Sequence, residues 1–299
     1  MSDLSSLTTE SVDRAFDDLD QRSVESLARA MNEADQTVPL AVERALAEIV
    51  PAIEAAAARV QSGGRLFYVG AGTPGRIGVL DASEVPPTFS EHGRVIGVIA
   101  GGESAIQNAI EGAEDDPAAG AADLEAYGLT SADVVIGVTS SGRTPYVIGA
   151  CDYARELGAL TVGLACNESS ELSSHVEHPI EIIVGPEMIS GSTRLKSGTA
   201  QKLVLNMFST ITMIRLGKTY GSLMIDVSAT NEKLRERAVR IVQQITDARR
   251  STAEQALESS EGRVSVAVVM IERDVSCEAA DAMLVAAGGR LRTVLEEGE

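Results

Sequence analysis

Five short, nearly continuous apolar runs punctuate the first two thirds of the chain, at 66–69, 95–100, 134–138, 160–165 and 180–184. Each is followed by a glycine-containing loop and then by a helix-like segment. That alternation predicts parallel strands joined by crossover helices, and the near absence of polar positions inside the runs predicts strands covered on both faces. The segments 104–112, 118–127 and 145–157 read as crossover helices, and 199–216 as a long helix after the last strand. The expected fold is α/β: an open, doubly wound, mainly parallel five-stranded sheet flanked by helices.

Upstream, residues 1–40 are polar and acidic, with Val24, Leu27, Ala28 and Met31 at helical intervals. They predict an arm with one short helix, a kind of element that often embraces a second subunit. The Ala-rich stretch 38–60 predicts a long helix, bent near Pro51 and stopped by the SGG at 62–64. Beyond Gly221, the charged amphipathic stretch NEKLRERAVRIVQQITDA opens a series of short segments that predict a small helical C-terminal domain. Within it, 264–271 suits a strand by its β-branched content and is open to a helix as well, which is the reading favoured here. The domain boundaries expected are 1–40 for the arm, 41–225 for the sheet domain and 226–299 for the helical one.

Charge narrows the set of partners. Twenty-five Lys and Arg against 44 Asp and Glu give a formal net charge of −19 and a pI near 4.6. Such a field repels phosphate backbones and anionic lipid, which argues against nucleic acid and membrane surfaces. A small anionic substrate would need its own local positive field, so cations inside glycine-rich loops carry weight. Lysine is scarce: only Lys196, Lys202, Lys218 and Lys233. The cysteines Cys151, Cys166 and Cys277 are widely spaced and read as reduced, mostly buried thiols. Acidic residues stand where a secretory signal needs basic ones, and no apolar stretch reaches about 18 residues, so the location expected is cytoplasmic. With no Trp and 3% aromatics, platforms for stacking single strands or sugars are not expected.

Three loops have the composition of an anion site. VGAGTPGR (69–76) satisfies G-x-G-x-x-G through Gly70, Gly72 and Gly75, yet the acidic residue a dinucleotide site needs about 20 positions further on is missing. No nicotinamide or flavin cofactor is expected. TSSGRTP (139–145) places Ser140, Ser141, Gly142, Arg143 and Thr144 between a strand and a helix starting at Pro145, a phosphate cradle that needs no metal; the plainer reading is a capped helix start with an incidental Arg. GSTRLKSGTAQK (191–202) concentrates Arg194, Lys196 and Lys202, and otherwise reads as a basic helix start.

The histidines His92, His175 and His178 lie away from these loops, and no H-E-x-x-H or Cys/His cluster stands at ligand spacing, so no metal is expected and acid/base work falls to carboxylates. Glu84, in LDASEVPP, precedes two prolines that fix the chain and would hold it partly desolvated against the strand ends, with a raised pKa. Glu114, in AIEGAEDD, follows Ala105, Ile106, Ala109 and Ile110. Alternatively, Glu84 caps a helix and Glu114 belongs with Glu111, Asp115 and Asp116 to a solvated acidic run.

The stretches GAGTPGRIGVLDASEVPPTF, IAGGESAIQNAIEGAEDD, SSGRTPYV and GSTRLKSGTAQKLVLNMFST strongly resemble the bacterial N-acetylmuramic acid 6-phosphate etherases. The resemblance extends through ADQTVPLAVERAL, DVSATNEKLRERAVRIV and GGRLRTVLEEGE, covering nearly the whole chain. Glucokinase regulatory protein looks like a longer, duplicated relative. The resemblance implies a flavodoxin-like sugar isomerase (SIS) domain that binds a phosphosugar, cleavage of a D-lactyl ether without a cofactor, and a homodimer. It places the family's two catalytic glutamates on Glu84, as donor to the ether oxygen, and on Glu114, as partner acid/base. Phosphate and sugar contacts fall on Thr73, Gly75, Arg76, Ser140, Ser141, Gly142, Arg143 and Thr144, with Arg194 and Lys196 as further candidates. Two positions depart from the family pattern: Pro74 replaces a serine, removing a hydroxyl and an N–H donor, and Val85 replaces a cysteine.

Overall fold

The computed structural model describes residues 7–227 and 231–296. Residues 1–6 of the arm, 228–230 within DVSATNEKL and 297–299 at the end of GGRLRTVLEEGE lie outside it. The chain divides into two compact units, one built from the chain up to Ser83 with Gly93–Ser209, the other from Glu84–His92 with the chain from Thr210 onward. This division differs from sequence boundaries at 40 and 225. Ile225 and Val227 pack into the core of the second unit, so burial groups them with the helices that follow.

In the first unit, three 3-10 turns, Thr8–Glu10, Arg14–Phe16 and Leu19–Gln21, precede helix α1 (Val24–Asp35). Ser23 caps α1 by accepting from the Ser26 amide, yet none of the α1 residues is buried. The single helix expected over 38–60 is two, α2 (Thr37–Arg44) and α3 (Leu46–Gln61), and the break falls at Ala45 rather than Pro51. Pro51 lies exposed inside α3, where water can reach the carbonyl that its missing N–H leaves open.

Five parallel strands, β1 (Leu66–Gly70), β2 (Val95–Ile99), β3 (Val134–Val138), β4 (Leu160–Ala165) and β5 (His178–Glu181), form one sheet in the order β2-β1-β3-β4-β5. Every residue of β1, β3 and β4 is buried, as strands covered on both faces require. Helix α4 (Gly72–Phe89) follows β1, and α5 (Ser104–Gln107) follows β2. The helix expected over 104–112 stops after one turn. Asn108 is extended, and its side chain donates to the Ser104 carbonyl at 3.3 Å, competing with helix continuation. Strand β5 runs 178–181 instead of 180–184; at the sheet edge it tolerates Pro179, whose missing donor faces no neighbouring strand.

Helices α6 (Pro117–Ala126) and α7 (Pro145–Glu156) cover one face, where Phe67, Val69 and Val135 meet Leu124, Tyr146 and Val147. Side chains alternate along a strand, so Tyr68 points the other way and donates to the Leu205 carbonyl of α8 (Lys196–Arg215) at 3.1 Å. Cys151 and Cys166 are buried and free, and burial pushes both thiols up to about 12. Cys277 is half-buried.

The second unit contains a short ribbon of β6 (Thr219–Tyr220) and β7 (Leu223–Met224), then α9 (Glu232–Thr246), α10 (Arg250–Ser259), α11 (Val264–Arg273), α12 (Cys277–Ala286) and α13 (Leu291–Glu296). The ambiguous run at 264–271 is helical, with Val264, Val266, Ala267, Val268 and Val269 buried. Among the described residues, no helix is long and apolar enough to cross a membrane.

Candidate active site

The strand order changes direction between β1 and β3, because the chain leaves β1 to one side for β2 and returns on the other as β3. In open α/β sheets ligands bind outside the carboxyl ends of the strands at this switch point. Gly70, the last residue of β1, is level with Ile99 and Val138. The glycine stretch that follows is mostly helix rather than loop: α4 already includes Gly72, Thr73, Pro74, Gly75 and Arg76. Pro74 sits in the first turn, where its N–H would have no helical partner in any case. A Cβ on Gly75 would lie 2.6 Å from the Gly70 carbonyl oxygen, so only glycine lets α4 start this close to the strand end. The first turn of α8 also arrives here, since a Cβ on Gly198 would stand 3.4 Å from the Thr73 methyl.

Across the switch point, the 139–144 loop is tied by its own hydroxyls. Thr139 and Thr144 share a hydrogen bond at 2.7 Å, and the Arg143 amide donates to the Ser141 hydroxyl at 3.2 Å. The Ser140 hydroxyl accepts from Gln201 of α8 at 3.1 Å, and its carbonyl accepts from the Asn167 side chain at 2.9 Å. Asn167 is held in turn by Thr9 of the arm, at 3.0 and 3.2 Å. Gly142 has φ +76°, and a Cβ there would stand 2.3 Å from that of Ser170. Thr144 occupies the cap position of α7, but its hydroxyl is engaged with Thr139 and α7 begins with no side-chain cap. In that first turn Pro145 has no N–H, and the amides of Val147 and Ile148 both donate to the Thr144 carbonyl at 3.1 Å, so the positive end of the α7 dipole stands behind the loop. Beside it, Nη1 of Arg143 is buried and has no partner among the described residues.

The third basic stretch is organised differently. Glu187, almost fully buried, accepts from the amides of Lys196 and Ser197, each at 2.9 Å, and so closes the α8 N-terminus with the protein's own carboxylate. This cap is why α8 begins at Lys196 rather than at the expected 199. The Lys196 ammonium donates to the Val184 carbonyl at 2.6 Å, and burial pulls its pKa below the usual lysine range against the opposing charge of Glu187. Arg194 is exposed. Two donors of Arg76 go to the carbonyls of Ile106 and Asn108.

Glu114 lies exposed on a 3-10 turn, Ala113–Asp115, whose Ala113 packs against the core under α6 and α7. Glu84 is on α4, in the second unit, and is exposed in the single chain rather than desolvated, because Pro86 and Pro87 are accommodated inside the helix instead of turning it. The second unit has a cavity of about 1360 Å³, floored by Val239, Leu257 and Leu284 and rimmed by the Arg250–Glu236 and Arg263–Asp281 ion pairs. None of the site residues expected from sequence lines it.

Thr9 and Glu187, which also shape the site, carry no signal of their own in the sequence, whereas Asn167 stands two residues past a predicted strand and Gln201 lies within the 191–202 stretch. Beneath the site, Asp81 is buried between α4 and α8, its Oδ1 accepting from Asn206 at 2.5 Å and from Ser209 at 3.2 Å, its Oδ2 unpartnered among the described residues. Burial raises its pKa against the opposing bonds from Ser209 and Asn206.

Residues 48–155 match the glucokinase regulatory protein N-terminal SIS domain, and residues 117–211 match the SIS domain. A solved phosphoheptose isomerase from Francisella tularensis has a TM-score of 0.51 at 18% identity, over 64% of this chain and 100% of that one, a likeness of fold. The N-acetylmuramic acid 6-phosphate etherase of Streptomyces coelicolor is 55% identical over 98% of this chain and 95% of its own length. That of Streptomyces avermitilis is 54% identical over 98% and 94%, and that of Caldanaerobacter subterraneus 54% over 84% and 84%. With identity above one half from near one end of the sequence to near the other, this chain belongs to the N-acetylmuramic acid 6-phosphate etherase family.

Proposed function

We propose that this chain cleaves the D-lactyl ether of N-acetylmuramic acid 6-phosphate, giving N-acetylglucosamine 6-phosphate and D-lactate. The observation that carries this reading is the 55% identity over 98% of the chain to an etherase. The phosphate binds at the uncapped start of α7, held by the hydroxyls and amides of Ser140, Ser141, Gly142 and Thr144 and by the charge of Arg143. Thr73 and Gly75, at the start of α4, border the sugar. The α8 N-terminus already holds Glu187, so a second anion is not favoured there, and Lys196 acts on substrate less directly than its composition suggested.

The chemistry needs only proton transfers. In the open-chain sugar the C1 carbonyl acidifies the C2 proton, which a carboxylate removes. The electron pair forms the C2–C3 double bond as the C3–oxygen bond breaks, and the departing lactate oxygen takes a proton from a carboxylic acid. Water then adds across the double bond, hydroxyl to C3 and proton to C2, so the sum is ether plus water giving two alcohols. Glu84 is the donor to the ether oxygen and Glu114 the partner acid/base. No step calls for a cofactor.

The functional form is a homodimer. Helix α1 supports this: it is amphipathic, yet it buries no residue in the single chain and leaves Val24 83% exposed. The chain acts on a soluble metabolite in the cytoplasm. Incubation with N-acetylmuramic acid 6-phosphate is expected to release D-lactate and N-acetylglucosamine 6-phosphate in equal amounts, from a species of twice the chain mass by light scattering. Binding without turnover would instead mark a phosphosugar-sensing regulator.

A further inference from the structure

The segment between β2 and the turn that carries Glu114 is a closed surface loop. It opens at Gly101 and Gly102 and ends at Gly112, with φ of +85°, +69° and +73°. Between them only Ala105 is buried. A Cβ on Gly101 would stand 3.1 Å from the Cβ of Ile110, so the end of the loop folds back over its start, the geometry of an Ω-loop.

Arg76, on the second turn of α4, reaches into this loop. Its Nε donates to the Ile106 carbonyl at 3.0 Å and its Nη2 to the Asn108 carbonyl at 2.8 Å. Those carbonyls belong to the end of the one-turn helix α5, where helix termini leave acceptors unpaired. A guanidinium presents adjacent donors in a rigid planar fork, and here two of them grip carbonyls two residues apart.

We infer that Arg76 is a positioning residue: it locks the 101–112 loop to α4 and thereby sets where Glu114 stands, instead of serving as a ligand of the substrate phosphate. This inference rests on the role given to Glu114 above. The first turn of α4 also carries Thr73 and Gly75, so the helix end that borders the sugar fixes the loop leading to the acid/base group, and both are referenced to one rigid element.

The test compares Arg76→Ala and Arg76→Lys with the unaltered chain in kcat for D-lactate release, in the inhibition constant of N-acetylglucosamine 6-phosphate, and in amide hydrogen exchange. In Arg76→Ala, exchange across 103–112 accelerates while that across 139–148 does not change. Its kcat falls by roughly 100-fold, the scale of a misplaced reacting group, and the inhibition constant stays within a factor of about two. Arg76→Lys, with one donor centre in place of the fork, recovers part of kcat, and it carries the comparison if Arg76→Ala does not fold. An inhibition constant raised by roughly tenfold with unchanged loop exchange would make Arg76 a phosphate ligand, and an unchanged kcat would detach the loop from catalysis. Either result overturns the inference. An unaltered chain that releases no lactate overturns the proposed function and Glu114 with it, and the exchange measurement separates that failure from a failure of the clamp.

Discussion

Glu187 and Ser197 are joined twice: Oε1 of the carboxylate accepts from the Ser197 amide and from its hydroxyl, both at 2.9 Å. With Oε2 on the Lys196 amide, one buried side chain satisfies the start of a 20-residue helix. The stabilisation combines a helix cap with a negative charge at the positive end of the dipole.

Glu187→Ala should therefore cost about 3 kcal/mol, because it also leaves the buried Lys196 ammonium without its nearby carboxylate. Urea denaturation followed by circular dichroism reads the change, and an unmoved midpoint would mean that the cap contributes nothing. Glu187→Gln, which keeps one acceptor oxygen, should fall between the two.

Asp81→Asn should stabilise the protein at neutral pH. Burial raises the Asp81 pKa in the fold, so its favourable contribution is present below the ordinary carboxylate range and lost as pH rises through the folded value. The ionised group is then a cost at pH 7, which asparagine removes while keeping the acceptor for Asn206 and Ser209. The melting temperature of the variant should exceed that of the unaltered chain at pH 7, with the gap closing on acidification towards pH 4. A gap that widens instead would contradict the assignment.

Arg143→Ala should act on binding. The guanidinium has a buried nitrogen beside the α7 N-terminus with no partner among the described residues, and its removal should raise KM about tenfold, equivalent to about 1.4 kcal/mol, with little change in kcat. Steady-state lactate release measures both constants, and an unaltered KM would place the phosphate elsewhere.

Glu84→Gln should abolish elimination without touching the fold. Exposed substitutions away from special contacts shift stability by less than about 0.5 kcal/mol, whereas loss of a general acid costs roughly 100- to 10,000-fold in rate. Lactate release at near-normal rate with an unchanged melting curve would refute the donor role.

What could be read from sequence follows from the range over which each signal acts. Strands β1, β3 and β4 are buried on both faces and announce themselves as unbroken apolar runs, and the 139–144 loop shows its hydroxyls and glycine in one stretch. The failures are contacts between distant segments or competition by a single side chain. Asn108 ends α5 through its own amide group, and α8 starts early because Glu187 comes back across the loop to cap it. Thr9 reaches Asn167 over 158 positions, a distance at which periodicity carries no information. At the site, glycines and hydroxyls were legible because their spacing encodes a turn, whereas the partners of Arg76 depended on where the chain after β2 turned back.

The unequal burial of the three cysteines gives the protein a ready experimental handle. With the thiols of Cys151 and Cys166 sealed in the interior and protonated far above neutrality, a maleimide dye at pH 7 should attach at Cys277 alone. A fluorescent or spin reporter can then be installed at the head of α12 without engineering the natural sequence.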